Sequence, residues 1–474
     1  MQAGNGRRGP RKRGVARRPT FFRNAPMWGK RIMSALAICL ALGATAQAQS
    51  RDEVLPAAVE ALKSGDGTRA LALTDSLIAA NPRDIDALLL KSEIHFAMGQ
   101  SRSAREAATA AFTASDIPAA RYASGMRIAE LHALDGNYPL SQFWLRQAGN
   151  YAANDEQLQR AVAAYRNVRA RNPWRFTFSG GVAPNSNINN GSSETTMEIF
   201  GLPFVLSPTA RALSGYTAEA QAKLDYRIFQ TERSQTTVGI EAAGRMNWLD
   251  RASAAAAPTV SGHDYDFYSL ALTATHQQIV GNGIRLEFSG RAGRNWYGGA
   301  KLSDFFGAGT AVTFPLFDGR DALTFSARAD RSLLVQGGLV PETVATIGAA
   351  YAHKLAWGDT VIGRVNYTRS WSAGASQVYT LPSAGIDYRF SRPILGAYLE
   401  VGGNYGYKSY NFSPFSTTGR QDRILSGHVS AEFRNFSYMG FSPVVTMEAK
   451  RSWSNVPLYS QTSFTGGLSF QSRF

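Results

Sequence analysis

The residues of this 474-residue chain best equipped for chemistry are six histidines, a single cysteine and scattered carboxylates. Cys39 has no second thiol to pair with, so neither an internal disulfide nor a paired-thiolate metal site is available. His263 stands beside Asp264 and Asp266, which could make an acid–base group; a polar loop edge explains the same residues more simply. His428 falls on the polar phase of an alternating segment with no evident partner and reads as structural. The remaining histidines, His95, His132, His276 and His353, form no spaced set. There is no G-x-S-x-G, no H-E-x-x-H and no phosphate-binding glycine loop. The expectation is a protein that is not an enzyme and that holds no cofactor or metal.

If no small cluster carries the function, the elements themselves must. The net charge of +15 could suggest nucleic acid, but ten of those charges lie in residues 1–48, which contain no acid. The five left over are spread along the chain rather than gathered in a patch, so no nucleic-acid partner is expected. Lys30 and Arg31 precede an apolar stretch, Ile32 to Thr45, that is too short to span a bilayer as a helix. Ala46-Gln47-Ala48 then offers a small-x-small cleavage site. Residues 1–48 thus read as a secretory signal behind a basic extension, with either Met1 or Met27 as the start. Cys39 would leave with it. Ile38 before it is not the small residue a lipoprotein signal needs.

Residues 49–172 read as a helical domain. They are rich in Ala, Leu, Glu and Arg, with fourteen basic and fourteen acidic residues. Gly65 and Gly99 are 34 residues apart, as are Ala70 and Ala104, and Gly136 follows 37 after Gly99. Helix–turn–helix units of this length, with small residues at the crossings, resemble tetratricopeptide repeats. Such repeats present a surface to a protein segment.

From Trp174 the period changes from helical to two. Tyr216, Ala218, Ala220, Ala222, Leu224, Tyr226 and Ile228 are apolar, while Thr217, Glu219, Gln221, Lys223, Asp225 and Arg227 between them are polar. The same alternation marks Ile284–Ala292 and Val361–Tyr367. Fourteen strands are predicted, near 174–183, 216–229, 235–249, 264–277, 284–297, 302–316, 322–334, 343–356, 360–373, 377–390, 394–409, 423–436, 441–454 and 461–474. Long strands with a densely charged second face favour a closed transmembrane barrel over a water-soluble sandwich. Trp248, Trp296, Trp357, Trp371 and Trp453 fall near strand ends, where interfacial girdles lie. Lys223, Asp225, Arg227, Arg245, Arg291, Arg328, Asp330, Arg364, Arg389 and Arg434 face the lumen in this scheme and are expected to form ion-pair ladders. Short turns alternate with longer loops, which puts both barrel ends and the helical domain in the periplasm. Phe474, ending an alternating strand, looks like the signal read by the barrel-assembly machinery. The fold class is therefore α plus transmembrane β: tetratricopeptide-like repeats (49–172), then a 14-stranded antiparallel outer-membrane β-barrel (173–474).

The join holds the most specific text. Asn172-Pro173-Trp174-Arg175-Phe176 opens the first strand, and Pro184-Asn185-Ser186-Asn187-Ile188-Asn189 closes it. With the architecture around it, this element resembles the surface lipoprotein assembly modulator (Slam) family of type XI secretion. The resemblance covers essentially the whole chain after the signal. It implies an outer-membrane translocator that delivers a client protein, a surface lipoprotein or a secreted haem- or metal-acquisition protein. The implied partners are that client, the barrel-assembly machinery and outer-membrane lipid. Pro184–Asn189 would then line the client path or shape a loop; both readings stand. The rival readings are an exopolysaccharide-export porin, which usually carries a longer repeat region and a one-signed or aromatic lumen, and a passive porin, which would not need the helices.

Overall fold

The computed structural model describes residues 45–199, 201–335, 339–439 and 441–472. The expected signal up to residue 44 and the terminal Phe474 lie outside the described residues. Ala46-Gln47-Ala48 falls in the first described helix. By compactness the chain divides into Met1–Asp116 and Ile117–Phe474. This differs from the expected boundary at 172/173, because the last helices group with the barrel. The change from helix to strand still falls at the predicted join, between Arg171 and Trp174.

The first unit contains α1 (Thr45–Lys63), α2 (Gly67–Ala80), α3 (Ile85–Ala97) and α4 (Ser101–Ala114). Consecutive helices pack as antiparallel hairpins, and Ala61, Ala70 and Ile94 form a core with Leu62, Leu71 and Leu90 around it. The sequence marks each hairpin turn with a glycine. Gly65 and Gly99 have φ of +83° and +75°, the left-handed conformation that ends a helix cheaply only without a Cβ. The residue after each donates its N–H five positions back, Asp66 to Ala61 O and Gln100 to His95 O, which satisfies the helix's last carbonyls. Asp66 and Asp84 cap the following helices by accepting from Arg69 N and Ala87 N.

The second unit begins with α5 (Pro118–Leu134), α6 (Tyr138–Asn150) and α7 (Asp155–Arg171). Gly136 repeats the same turn at φ +75°, with Asn137 N bonded to His132 O. The three positions chosen from spacing are thus one structural device used three times. Ala129, Leu145, Ala164 and Tyr165 make this part's core. No helix among the described residues is long and apolar enough to cross a membrane.

The strands that follow are β1 (Trp174–Asn185), β2 (Thr196–Ile199), β3 (Leu202–Val205), β4 (Gly215–Gln230), β5 (Ser234–Leu249), β6 (Phe267–Val280), β7 (Ile284–Tyr297), β8 (Ala300–Leu316), β9 (Asp321–Leu334), β10 (Glu342–Lys354), β11 (Thr360–Ser372), β12 (Tyr379–Arg389), β13 (Tyr398–Tyr410), β14 (Arg420–Glu432), β15 (Phe441–Ser454) and β16 (Gln461–Ser472). Fourteen of them close into one antiparallel barrel in sequence order, with β1 between β4 and β16. β2 and β3 form a separate hairpin inside the long β1–β4 connection, where the sequence predicts a loop. All fourteen predicted strands are present, with ends shifted by a few residues.

The barrel is apolar on its outside. Leu272 is 64% exposed and Ile347 59%, and Phe176, Phe178, Val365 and Ile386 share that wall. Water does not tolerate so continuous an apolar band, whereas hydrocarbon requires it. Closure leaves no unpaired strand edge, and strands of 11–17 residues are at least as long as the about 9–11 that cross a bilayer. The chain is an outer-membrane β-barrel with an N-terminal helical-repeat region. We call the barrel end at which β1 begins proximal and the other distal. Most proximal turns are short, such as Thr231–Arg233 and Gly281–Gly283, while 390–397 and 433–440 are longer. Distal connections include the long segments 186–214 and 250–266, though β7 and β8 meet there through only Gly298 and Gly299, both at positive φ, as a two-residue hairpin demands.

Candidate functional site

A barrel leaves three places for function: its lumen and its two mouths. Alternation decides what the lumen contains, because every inward side chain comes from the polar phase. Opposite charges two apart on one strand share a face, and several such pairs meet. Lys223 lies 3.4 Å from Asp225, and Arg434 lies 2.8 Å from Glu432. Arg328 and Arg291 converge on Asp330 at 2.6 and 2.9 Å. Arg364 pairs with Asp387, and Arg389 with Glu400 at 2.8 Å. The expected ion pairs are therefore present for eight of the ten named charges, Arg434 reaching Glu432 from the turn that follows β14. Arg227 departs, because it donates to Ala170 O and Asn172 O at the end of α7. Arg245 keeps a buried Nε with no hydrogen-bond partner.

His428 is less isolated than its sequence suggests. Its Nε2 lies 3.9 Å from both Asp387 Oδ1 and Glu400 Oε1. The three groups could each offer one atom to a cation, and Asp387, only 2% exposed, leaves Oδ1 without a hydrogen bond. Two arginines already neutralise these carboxylates, so the cluster is balanced as an ion-pair network. Gly402 is required beside it, since a Cβ there would collide with Asp387 Oδ1 and the His428 ring. Sequence reasoning missed Asp387 and Glu400. Their signal was the lumen phase of β12 and β13 opposite unpaired arginines.

A second inward group lies near the distal end on β12–β14. Lys408 Nζ stands 3.8 Å from the Tyr379 ring and 4.9 Å from that of Tyr410. Arg420 covers Tyr410 and Tyr459 at 4.5 and 3.6 Å while bonding Asp422. Above it, the β2–β3 hairpin packs into the distal connections. Met197, Leu206 and Val456 form a small buried core with Phe415, Leu458 and Tyr459 around it.

Pro184–Asn189 sits where β1 reaches this distal mouth. Pro184 and Asn185 end the strand, opposite Tyr216 and Gly215. Asn185 bonds Thr217 Oγ1 and accepts from Asn187 N. Ser186 N donates to Phe464 O, and Ser186 Oγ accepts from Phe464 N, which ties β1 to β16. Asn187 donates to Gly191 O and Thr462 O and accepts from Gly191 N. Ile188 is buried, and Asn189 donates to Thr209 O and Arg211 O while accepting from Leu213 N. Most polar side chains of this element bond backbone groups of the long loop and of the closing seam. His263 likewise bonds Asp266 at 3.0 Å, and Asp266 accepts from Asn247 N, in a staple at the same end.

At the proximal mouth, helix meets barrel through arginines. Arg146 of α6 donates to Met439 O in the β14–β15 turn and lies over the rings of Tyr165 and Phe441 at 4.8 and 4.6 Å. Arg227 of β4 caps the carboxyl end of α7 as described, where the helix dipole favours a cation. Arg169 donates to Asn172 O and Trp174 O. Burial pushes its guanidinium below its usual range, and the nearby charges of Arg175 and Arg227 act in the same direction.

No protein-family model matches the chain, and no curated protein matches it. Among solved structures, the type III secretion translocator chaperone SycD of Yersinia enterocolitica is 17% identical, covering 29% of this chain and 92% of its own, with a TM-score of 0.24. PcrH from Pseudomonas aeruginosa is 15% identical over 28% of this chain and 99% of its own, also at 0.24. The outer membrane protein OmpT of Vibrio cholerae is 8% identical over 64% of this chain and 100% of its own, at 0.33. These likenesses are too low to carry a functional argument, and the fold rests on the strand pairing itself.

Proposed function

We propose that the protein is an outer-membrane translocator that delivers a partner protein, a surface lipoprotein or a secreted haem- or metal-acquisition protein, to the cell surface or medium. The observation that carries this reading is the seating of α6 and α7 on the proximal rim by Arg146 and Arg227. The last two helices are thereby built onto one opening of a barrel whose strand number gives porin width. Short proximal turns and longer distal loops support a periplasmic proximal mouth, with α6 and α7 on it, and a distal mouth at the surface. The paired, two-signed lumen suits a polypeptide of mixed character better than a sugar chain. The resemblance of the Asn172–Asn189 text to the Slam family points the same way.

The test compares surface-exposed and secreted proteins in cells with and without the gene. Loss of one or a few particular proteins, with their precursors retained in the periplasm, is the expected result and names the client. An unchanged protein profile with altered surface sugar would replace this reading by polysaccharide export.

A further inference from the structure

Five arginines stand at one level of the lipid-facing wall. Arg294, Arg331, Arg369 and Arg451 each lie three residues before the distal end of β7, β9, β11 and β15. Arg423 lies three residues after the distal start of β14. Register places them on the outside: Arg331 opposite Phe306, Arg423 opposite Trp453, Arg451 opposite Leu425, and Arg369 in phase with Val365 and Tyr367. In three strands a tryptophan follows two residues on, giving Arg294-x-Trp296, Arg369-x-Trp371 and Arg451-x-Trp453. The guanidinium groups of Arg369 and Arg451 lie 5.4 and 5.2 Å from the centres of their tryptophan rings.

A charge on the lipid face is costly at mid-bilayer and cheap at the interface. Three residues along a tilted strand amount to about 7–8 Å below its end, within reach of a guanidinium that bends toward water over an interfacial indole. Arg294 is met by Asp304 at 2.7 Å, which also holds Lys301 at 2.6 Å, so that site keeps one net positive charge. Arg331, Arg369, Arg423 and Arg451 are exposed and, among the described residues, lack any carboxylate at ion-pair distance. The proximal end is the opposite. Its lipid-facing strand ends carry Asp321 with Tyr351 and His353, and Tyr388 bonded to Asp359; the strands there bear no outward Lys or Arg among the described residues, and Arg320 of the adjoining turn is paired with Asp321 at 3.7 Å. A belt whose unneutralised arginines lie at the distal rim complements a membrane whose anionic groups are concentrated on that side.

We infer that this arginine–tryptophan belt binds phosphate groups on lipid headgroups of the surface-side leaflet. The guanidinium fork matches phosphate oxygens in a way an ammonium does not. The proposal rests on the barrel spanning the outer membrane and not on the export reading.

The test is native mass spectrometry of the full chain in mild detergent. The probes are bisphosphorylated lipid A and a fully dephosphorylated lipid A with the same acyl chains. The wild type is expected to retain the phosphorylated lipid and release the other. A variant combining Arg331→Gln, Arg369→Gln, Arg423→Gln and Arg451→Gln is expected to lose about tenfold or more of that retention while keeping its heat-modifiable mobility. The lumen change Arg291→Gln should leave it unaltered. Equal retention of the two lipids by the wild type, unchanged retention by the combined variant, or loss on changing Arg291 would each overturn the proposal. If the combined variant does not fold, the wild-type comparison of the two lipids decides the matter alone. Altered client delivery has no bearing on these readouts, so failure of the export reading is distinguishable.

Discussion

The helical hairpins and the barrel solve opposite solvent problems with similar residues. In α1–α7 the large apolar side chains turn inward, and Ile94, Ile128, Leu131 and Leu145 are nearly sealed from water. In the barrel the same kinds of residue face outward, while Asn247, Ser370, Asp387 and Asp422 are the sealed ones. Helices can do this because apolar residues three and four apart make one stripe, and neighbouring stripes cover each other. A strand gives each alternate side chain to one face, so a closed sheet must choose which solvent meets its apolar face. The difference teaches that burial in this protein is defined by the surrounding medium, and that residue type alone does not reveal it.

Substitutions should therefore act with opposite sign in the two regions. Ile94→Ala in α3 removes a fully buried side chain and is expected to cost about 2–5 kcal/mol, read as an earlier loss of helix ellipticity on heating. The heat-modifiable mobility that reports the barrel should not change. Leu272→Arg, at the middle of β6 on the lipid face, is expected to cost about 2–4 kcal/mol in barrel refolding titrations. Thr273→Arg, one residue along and facing the lumen, should cost far less. Equal losses at Leu272 and Thr273 would break the comparison, because they would mean that the outside of the barrel is not in lipid.

A smaller effect isolates backbone from packing. Gly99 has φ +75° with open space where a Cβ would go. Gly99→Ala should then cost about 1–2 kcal/mol of helical stability through left-handed strain alone. Gly363, near the proximal end of β11, also has room for a Cβ but no unusual φ, so Gly363→Ala should be close to neutral or mildly stabilising.

The fold was legible where one physical signal dominated. Period two over long segments specified all fourteen barrel strands, and the glycine spacing marked the three hairpin turns because only glycine reaches that φ without cost. The β2–β3 hairpin was not legible, since four-residue strands are too short to show a period, and Pro203 weakens the signal further. The compact division after Asp116 was hidden as well, since no break in composition or helical period marks it. In the lumen the cations were read from the polar phase, but Asp387, Glu400 and Asp422 were passed over, and His428 was left without the partners it has. The Arg-x-Trp repeat was visible in the letters throughout. Its meaning needed the register, which sets the five arginines at one height.

The smallest expected effect concerns the charge pair that ties α1 to α3. Arg51 bonds Asp84 at 2.6 Å and Asp86 at 2.7 Å. Burial alone would raise the Asp84 pKa, but the Arg51 guanidinium and the Ala87 amide outweigh it and hold the carboxyl below its ordinary value. Because the folded pKa is depressed, this stabilisation is fully present above the unfolded value of about 3.9 and is lost as pH falls through the folded one. Thermal unfolding of the helices should therefore become easier below about pH 4. The lipid-facing apolar wall that stabilises the barrel does not titrate in that window. Asp84→Asn keeps an N-cap acceptor, and Asp86 still pairs with Arg51, so its cost at neutral pH should be about 1 kcal/mol. The same variant should flatten part of the acid dependence of the helical melting temperature. An acid dependence unchanged by Asp84→Asn would transfer that sensitivity to other carboxylates and leave the Arg51–Asp84 pair as a contact of geometry without measurable linkage.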